Sequence, residues 1–227
     1  MAVTGTVAAA AIGLLVLATV AVAQSEAPPK RVDPASLPAH DRHEGLLVAA
    51  DSCLDAEEAK QIFGKKTPYD AGILAVDVYL RNETPEAMRL NMRTIRLEVE
   101  PPGEESQKIE SLSPGQVATL IIYPAGSPDP SMKRKFPTGI PMPSHDKKVE
   151  KLAEAFKPLA LDVDVIPPMG TVHGYLFFDM AHDFKLASSS LLYIPDVHVI
   201  SGNKALMFYE VALAPADTPG EKPVENP

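Results

Sequence analysis

Tryptophan is absent from this 227-residue chain, and Cys53 is its one cysteine. A single cysteine excludes an internal disulfide, so the apolar core must stabilise the fold. We expect Cys53 to be a small buried side chain, and a disulfide-linked dimer is the alternative. Positive charge is also scarce, because 21 Lys and Arg residues stand against 30 Asp and Glu residues, for a net charge of −9. This balance disfavours a nucleic-acid partner, which needs clustered Lys and Arg.

No charged residue occurs in the first 23 positions. Residues 7–23 form an apolar run, broken only by Gly13 and Thr19, that ends in Ala21-Val22-Ala23. Small residues at the two ends of such a tripeptide are typical of a cleavage site. We therefore predict a signal peptide over residues 1–23 and an exported protein, periplasmic or secreted. The alternative is an uncleaved membrane anchor, for which an Ala-rich run of this length is at the lower limit.

Proline-rich segments divide the rest of the chain. Residues 24–42 have many prolines and few large apolar side chains, which predicts an extended tether. Residues 215–227 alternate proline with acidic residues and are predicted to be a disordered tail. One ordered domain is then expected over residues 43–214. Inside it, residues 124–144 hold six prolines around the basic cluster 133–135; a loop of this length is predicted to be either functional or flexible.

Alternation of apolar and polar side chains is the clearest structural signal. Even-numbered residues from Leu74 to Leu80 are apolar, so we predict a strand that buries Val76 and Val78 and turns Asp77 outward. The phase changes near Arg93-Thr94, which predicts a bulge or break. Further strands are predicted at residues 46–50, 117–123, 161–165, 172–180, 191–194 and 207–213. Short alternating strands separated by turns are typical of a sandwich or barrel.

Two helices are predicted among these strands. Asp55 caps the first, and Gly64 ends it. The second covers about residues 146–157, with apolar residues at helical spacing. Each apolar stripe is narrow, so each helix is expected to cover an end or edge of the sandwich without building a separate core. One of the two helices is expected to cover Tyr175 and Phe177.

Three segments resemble exported bacterial Ig-like domains of the telokin-like type and, more distantly, the late-embryogenesis-abundant or water-stress type of β-sandwich. They are residues 72–84 (GILAVDVYLRNET), 113–117 (SPGQV) and 168–179 (PMGTVHGYLFFD). The resemblance covers about residues 45–213 and implies an Ig-like antiparallel β-sandwich with two short helical insertions. It transfers no functional residue, because such domains share none, and it favours binding or scaffolding.

Histidines are the candidate chemical groups. His40 and His43 lie in the segment HDRHE, which matches neither H-E-x-x-H nor H-x-x-E-H, so we predict no metal site there. His182-Asp183 lies near the serines at 188–190, but the chain has no G-x-S-x-G elbow, so we predict no catalytic triad. We expect no catalytic residue, no cofactor and no metal. Asn82-Glu83-Thr84 is a glycosylation sequon, relevant only in a eukaryotic secretory route.

The sequence therefore favours a non-catalytic exported Ig-like module that binds or stabilises another envelope or secreted component. A hydrolase or metal-dependent enzyme using His40 and His43, or the His182-Asp183 region, is one alternative. A protease inhibitor that presents loop 124–144 as bait is another. Convergence of His, Asp and Ser in one cleft would favour the enzyme, whereas scattered histidines and exposed apolar side chains would favour the binding module.

Overall fold

The structure is a computed structural model that describes residues 32–100, 103, 105–124 and 146–213. The predicted signal peptide 1–23 and the predicted tail 215–227 lie outside the described residues. Residues 125–145, which include the basic cluster 133–135, lie outside them as well. In the described part of the chain, no helix is long and apolar enough to cross a membrane.

Antiparallel strands are the predominant regular structure. Within the described residues, twelve strands form three sheets of four strands each, which confirms the mainly-β class predicted from the sequence. In chain order the strands are β1 (Ala39–His43), β2 (Leu46–Cys53), β3 (Ile73–Asn82), β4 (Met88–Leu90), β5 (Arg96–Val99), β6 (Gln107–Glu110), β7 (Val165–Ile166), β8 (Thr171–Asp179), β9 (Ser190–Ile194), β10 (Val197–Val199), β11 (Lys204–Ala205) and β12 (Tyr209–Ala212).

The three sheets form two layers. The first sheet has the order β1-β2-β3-β8, the second β11-β10-β4-β7 and the third β12-β9-β5-β6. The chain passes twice between the second and third sheets, from β4 to β5 and from β9 to β10, each time across a short break. Apolar side chains of all three sheets form one buried cluster. The inner face of the first sheet therefore packs against the other two sheets.

Strand β3 has the predicted register. Leu74, Val76, Val78 and Leu80 are each 0% exposed and belong to the cluster between the layers. The predicted phase change is also present, as a 3-10 turn at Met92–Thr94 between β4 and β5. The break lets Leu90 and Leu97 both point inward although their numbers differ in parity.

Three helices cover the outer face of the first sheet: α1 (Ala56–Phe63), α2 (Pro114–Ile122) and α3 (Lys147–Phe156). They enclose the ring of Phe177 on β8, whose centroid lies 5.9 Å from that of Phe63 and 6.0 Å from that of Phe156. The prediction that helices cover Tyr175 and Phe177 is confirmed. The prediction that they build no separate core is wrong, because three narrow stripes together make a second buried cluster.

Helix α2 replaces the strand predicted at residues 117–123. Its first turn explains the difference: Ser113 and Gln116 form a capping box, and Pro114 occupies the first turn of the helix. The sequence pattern predicts a turn at these residues and a strand after them. The apolar run that follows fits either structure by composition, and the capping residues decide for the helix.

Of the strand predicted at residues 161–165, only Val165 belongs to a strand in the structure. Leu161 N donates to Tyr175 O, and Leu90 N donates to Asp164 O, so this segment passes from the edge of the first sheet to β4. Only Val165–Ile166 pairs as β7, with Ile166 buried and Val165 45% exposed. At the last strand, Tyr209, Val211 and Leu213 point inward as predicted, but Met207 is 62% exposed.

Residues 32–42 of the predicted tether 24–42 belong to the ordered domain, which was predicted to start at residue 43, and residues 24–31 lie outside the described residues. Asp33 caps a 3-10 turn at Pro34–Ser36, and β1 pairs with β2 along five residues. The intervening hairpin turns at Glu44 and Gly45, which both have positive φ, as a two-residue hairpin loop requires. Residues 32–42 are therefore part of the fold and not a tether.

Cys53 is buried, 6% exposed, and forms no disulfide. Burial, reinforced by the nearby Glu58 carboxylate, raises the pKa of its thiol to about 12. The thiol is therefore protonated at neutral pH and packs as a small apolar side chain, as expected from the sequence.

The two clusters make a testable pair. Val78→Ala opens a cavity between the layers and is expected to lower the free energy of unfolding by about 2 kcal/mol, whereas Phe156→Ala removes a ring from the helical cluster and is expected to cost about 3 kcal/mol. Urea unfolding measures both. Lys151→Ala, at an exposed position of α3, is the control with little effect. A loss at Phe156 no larger than at Lys151 would contradict a second core.

Candidate functional site

The two histidines of the HDRHE segment do not converge. They lie three residues apart on β1, so their side chains point to opposite faces of the strand. His40 Nδ1 lies 2.7 Å from Leu37 O, whereas the ring of His43 stacks on Tyr209 at 4.0 Å. His43 thereby joins the edge of the first sheet to β12. Among the described residues, no group of three His, Cys, Asp or Glu side chains is arranged to hold a metal ion.

The serines near His182-Asp183 all donate hydrogen bonds to main-chain carbonyl oxygens. The hydroxyl of Ser188 donates to Lys185 O, and those of Ser189 and Ser190 donate to Leu186 O, at 2.6–3.1 Å. These bonds close a 3-10 turn at Phe184–Ser189. His182 has a φ of 68° and an exposed ring. No hydroxyl in this group is therefore hydrogen bonded to an imidazole that would activate it.

Histidine–aspartate pairs instead occur singly, at three separate places. His43 Nε2 lies 3.5 Å from Asp41, and His198 Nε2 lies 2.8 Å from Asp196. His173 Nε2 lies 2.5 Å from Asp77 across β8 and β3. The pairs within one strand are visible in the sequence as residues of the same parity. The third depends on the pairing of strands 96 positions apart, which periodicity does not reveal.

The Asp77 pair belongs to a polar row on the outer face of the first sheet. Asp51, Asp77 and Tyr175 face one another across β2, β3 and β8, as do Tyr79 and His173 in the next row. The ring of Tyr79 stacks on His173 at 4.2 Å, and its hydroxyl donates to Asp77 at 3.1 Å. Burial, with the negative charge of Asp77, raises the pKa of Tyr79 to about 12. Burial also raises the pKa of Asp51, and the facing Asp77 carboxylate adds to the shift.

The direction of the Asp51 shift predicts a stability change. A carboxyl whose pKa is higher in the folded state makes folding less favourable as pH rises above its ordinary pKa of 3.8. Asp51→Asn removes a like-charge pair and is expected to raise the free energy of unfolding at pH 7 by about 0.5 kcal/mol, with the gain lost below that pKa. Urea unfolding at several pH values measures it. Asp162→Asn, at an exposed aspartate elsewhere, is the control; an equal gain there, or none at Asp51, would contradict the assignment.

Four loops meet at one end of the two layers, and we call this surface the loop end. It comprises residues 44–45, 83–87, 167–170 and 200–203. Main-chain bonds connect these loops: Glu83 N donates to Gly45 O, Met169 N to Thr84 O, and Ile200 N to Ala87 O, at 2.8–3.0 Å. The loop end is therefore a connected surface and not a set of independent turns.

Buried Asn82 organises the loop end. Its amide nitrogen donates to Glu86 O at 2.6 Å and to Pro167 O at 3.1 Å. Its amide oxygen accepts from the main-chain N and the hydroxyl of Thr84, at 2.9 and 2.8 Å. These four bonds use the full capacity of an asparagine amide. The residue is 1% exposed, so the sequon asparagine is inaccessible to glycosylation in the folded chain.

Asn82→Ala is expected to destabilise the protein strongly, by about 3 kcal/mol, because it leaves several buried polar groups of the loops without partners. Asn91→Ala, at an exposed asparagine, is the matched control and is expected to cost under about 1 kcal/mol. Thermal or urea unfolding compares the two. Equal losses would mean that the Asn82 network does not hold the loops.

The loop end presents apolar side chains to solvent. Met169 is 71% exposed and Ile200 is 40% exposed, while Met207, beside the hairpin, is 62% exposed. Met207 N donates to the carboxylate of Glu44 at 2.6 Å, which holds it next to the hairpin tip. The sequence pattern does not predict these exposed side chains, because it assigns Met207 to a strand and residues 167–170 to a turn. The large apolar residue within the Pro-Pro-Met-Gly turn is the sequence feature that indicates an exposed apolar site.

A polar pocket of about 440 Å³ lies on the outer face of the second sheet. Its lining includes Arg89, Asp164, Asp196, His198 and Asn203. His198 and the amide of Asn91 each bond one oxygen of the Asp196 carboxylate, at 2.8 and 2.7 Å. These bonds, with that from Asn91 as the larger effect, lower the pKa of Asp196.

A second cleft, of about 470 Å³, lies between the start of α2 and β8. Its polar residues Ser113 and Gln116 bond one another in the capping box of α2. Apolar Leu161, Leu176 and Phe177 form much of the remaining wall. Charged Arg93, Glu110 and Asp162 also line this cleft.

Comparisons with known proteins give little further information. No protein-family model matches the chain, and no curated protein matches it. Among solved structures, the chain is similar to the crystal structure of a functionally unknown protein from Listeria monocytogenes EGD-e, at 14% sequence identity and a TM-score of 0.32. That alignment covers 69% of this chain and 68% of the other.

Proposed function

We propose that this protein is an exported, non-catalytic module of the Ig-like β-sandwich type that binds another envelope or secreted protein through its loop end. Export rests on the apolar run 7–23 and its small-residue ending. The Ig-like assignment is supported by two packed layers of antiparallel strands with loops gathered at one end, the arrangement that Ig-like domains use for recognition.

The exposed Met169 side chain is the observation that carries the binding proposal. It is the most exposed large apolar side chain in the described chain, and its φ of 49° is unusual for a residue other than glycine. Glu44 and Asn203, also at the loop end, have positive φ as well. Strained backbone positions persist where the surrounding structure holds them, and they cluster at functional sites. Flexible methionines suit a protein-binding surface because they adapt to a partner's shape.

The separate histidine pairs support a non-catalytic role. His43, His173 and His198 each have their own aspartate on a different part of the surface. The hydroxyls nearest to His182 donate to main-chain carbonyls. A hydrolase needs a nucleophile, a base and an orienting group in one place, and these groups are dispersed.

Site-specific photocrosslinking tests the proposal. A photoreactive amino acid is placed at Met169 or Met207 in the protein expressed in its native host, and adducts are identified by mass spectrometry. We expect both positions to capture the same protein and Lys108, exposed on β6 away from the loop end, to capture none.

The captured protein is then purified and its Kd measured directly. Met169→Asp places a charge in an apolar contact and is expected to weaken binding by about tenfold or more, since truncating an interface anchor typically costs at least 1–2 kcal/mol. Leu54→Asp serves as the control, because it places the same charge at an exposed apolar side chain that follows β2 at the end opposite the hairpin. Identical adducts from position 108, or an unchanged Kd for Met169→Asp, would overturn the proposal.

A further inference from the structure

The polar pocket on the second sheet contains two opposite charges that do not pair. Arg89 on β4 and Asp164 just before β7 both line it, and both are exposed. By contrast, Arg42 forms an ion pair with Glu83, and Arg96 forms one with Glu98. Neither Arg89 nor Asp164 is in an ion pair with any described residue. The pocket therefore separates a cation and an anion instead of joining them.

Strand pairing fixes these groups in place. Arg89 lies directly opposite His198 on one side and Val165 on the other, so Asp164 is one residue from a partner of Arg89. Leu90 N donates to Asp164 O at 2.9 Å, which anchors the aspartate backbone beside β4. The two charges therefore project from rigid, hydrogen-bonded chain, and a ligand binding between them would meet a preformed site.

The rest of the lining narrows the ligand chemistry. Both oxygens of Asp196 are occupied by His198 and Asn91, so this carboxylate is a fixed negative charge in the wall. Two carboxylates in the pocket would repel a dianion such as phosphate, and the arginine would repel a simple cation. A ligand with one carboxylate and one ammonium group meets neither repulsion. Arg89 offers a forked donor that matches a carboxylate, and Asp164 accepts from an ammonium group.

Asn203 adds a polar group to the lining of the pocket. It is exposed with a φ of 52°, and its side-chain amide forms no hydrogen bond with described residues. A polar molecule in this pocket can therefore bond to that amide, whereas His198 Nδ1 is covered by the protein and out of reach of a ligand.

We propose that this pocket binds a small zwitterion of the α-amino-acid class, with its carboxylate on Arg89 and its ammonium group on Asp164. The pocket is on the outer face of the second sheet and shares Asn203 with the loop end, but ligand binding in it does not require a protein bound there. Its volume of about 440 Å³ lies within the usual range for small-ligand sites.

Titration of the purified full chain with L-alanine, followed by amide NMR shifts, tests the proposal. Acetate and methylammonium, matched for ionic strength, supply each charge alone. We expect saturable shifts in β4 and β10 with L-alanine, at a Kd about tenfold or more below that of either single-charge probe. Equal affinities for L-alanine and acetate would show a plain anion site and overturn the zwitterion assignment.

Matched variants connect the binding to the two charges. Arg89→Gln and Asp164→Asn are each expected to weaken L-alanine binding by about tenfold or more, the effect of losing one charge-assisted hydrogen bond. Arg93→Gln and Asp162→Asn change exposed residues of the same types that line the second cleft, outside this pocket, and are expected to leave the Kd unchanged. All four sites are exposed, and urea unfolding checks that each variant remains folded. Unchanged binding by Arg89→Gln, or equal losses in the control variants, would overturn the proposal.

Discussion

The first sheet must be buried on both faces over part of its length, and much of the molecule follows from that constraint. Even-numbered residues of β3 pack against the other two sheets, and Ile73 and Ala75 pack against the helices. The chain also crosses between the layers close to this sheet. A Cβ at Gly174 would lie 2.6 Å from Leu161 N, so only glycine permits the crossing segment to approach β8.

Where helical cover ends, the outer face of the first sheet becomes polar. On this face, the cross-strand pair Asp51–Asp77 is next to the pair Cys53–Ala75. The neighbours of the two aspartates are Tyr79, Tyr175 and His173. Beyond them, β3 ends at Asn82, whose amide ties two loops together. Along its length, β3 therefore contributes first to the apolar core, then to the polar row, and finally to the bonds that hold the loops. The packing of the interior thereby fixes the position of the loop end.

Local periodicity predicted the parts of this arrangement that are local. The register of β3, the cap of α1, the extent of α3 and the phase change at Met92–Thr94 are all present in the structure. Helix α2 was missed because its capping residues also fit a turn, and strand β1 was missed because its five residues hold no apolar run. The Asn82 network and the Asp77–His173 pair join residues 85 and 96 positions apart, so they depend on strand pairing. No periodic pattern within one segment carries that information.

The two proposed sites differ in how their side chains relate to the fold. Histidines on the first sheet and at its edge are held by aspartates and aromatic rings, so their hydrogen-bonding capacity is largely used within the protein. At the loop end and in the neighbouring pocket, Met169, Arg89 and Asp164 extend from equally fixed backbone, yet they do not pair with the rest of the protein. A rigid scaffold that leaves such groups unpaired is preorganised for association, because little conformational entropy remains to be lost when a ligand or partner binds. That contrast is the reason for which we propose recognition at the loops and on the second sheet, whereas the Asp77, Tyr79 and His173 side chains of the polar row contact one another.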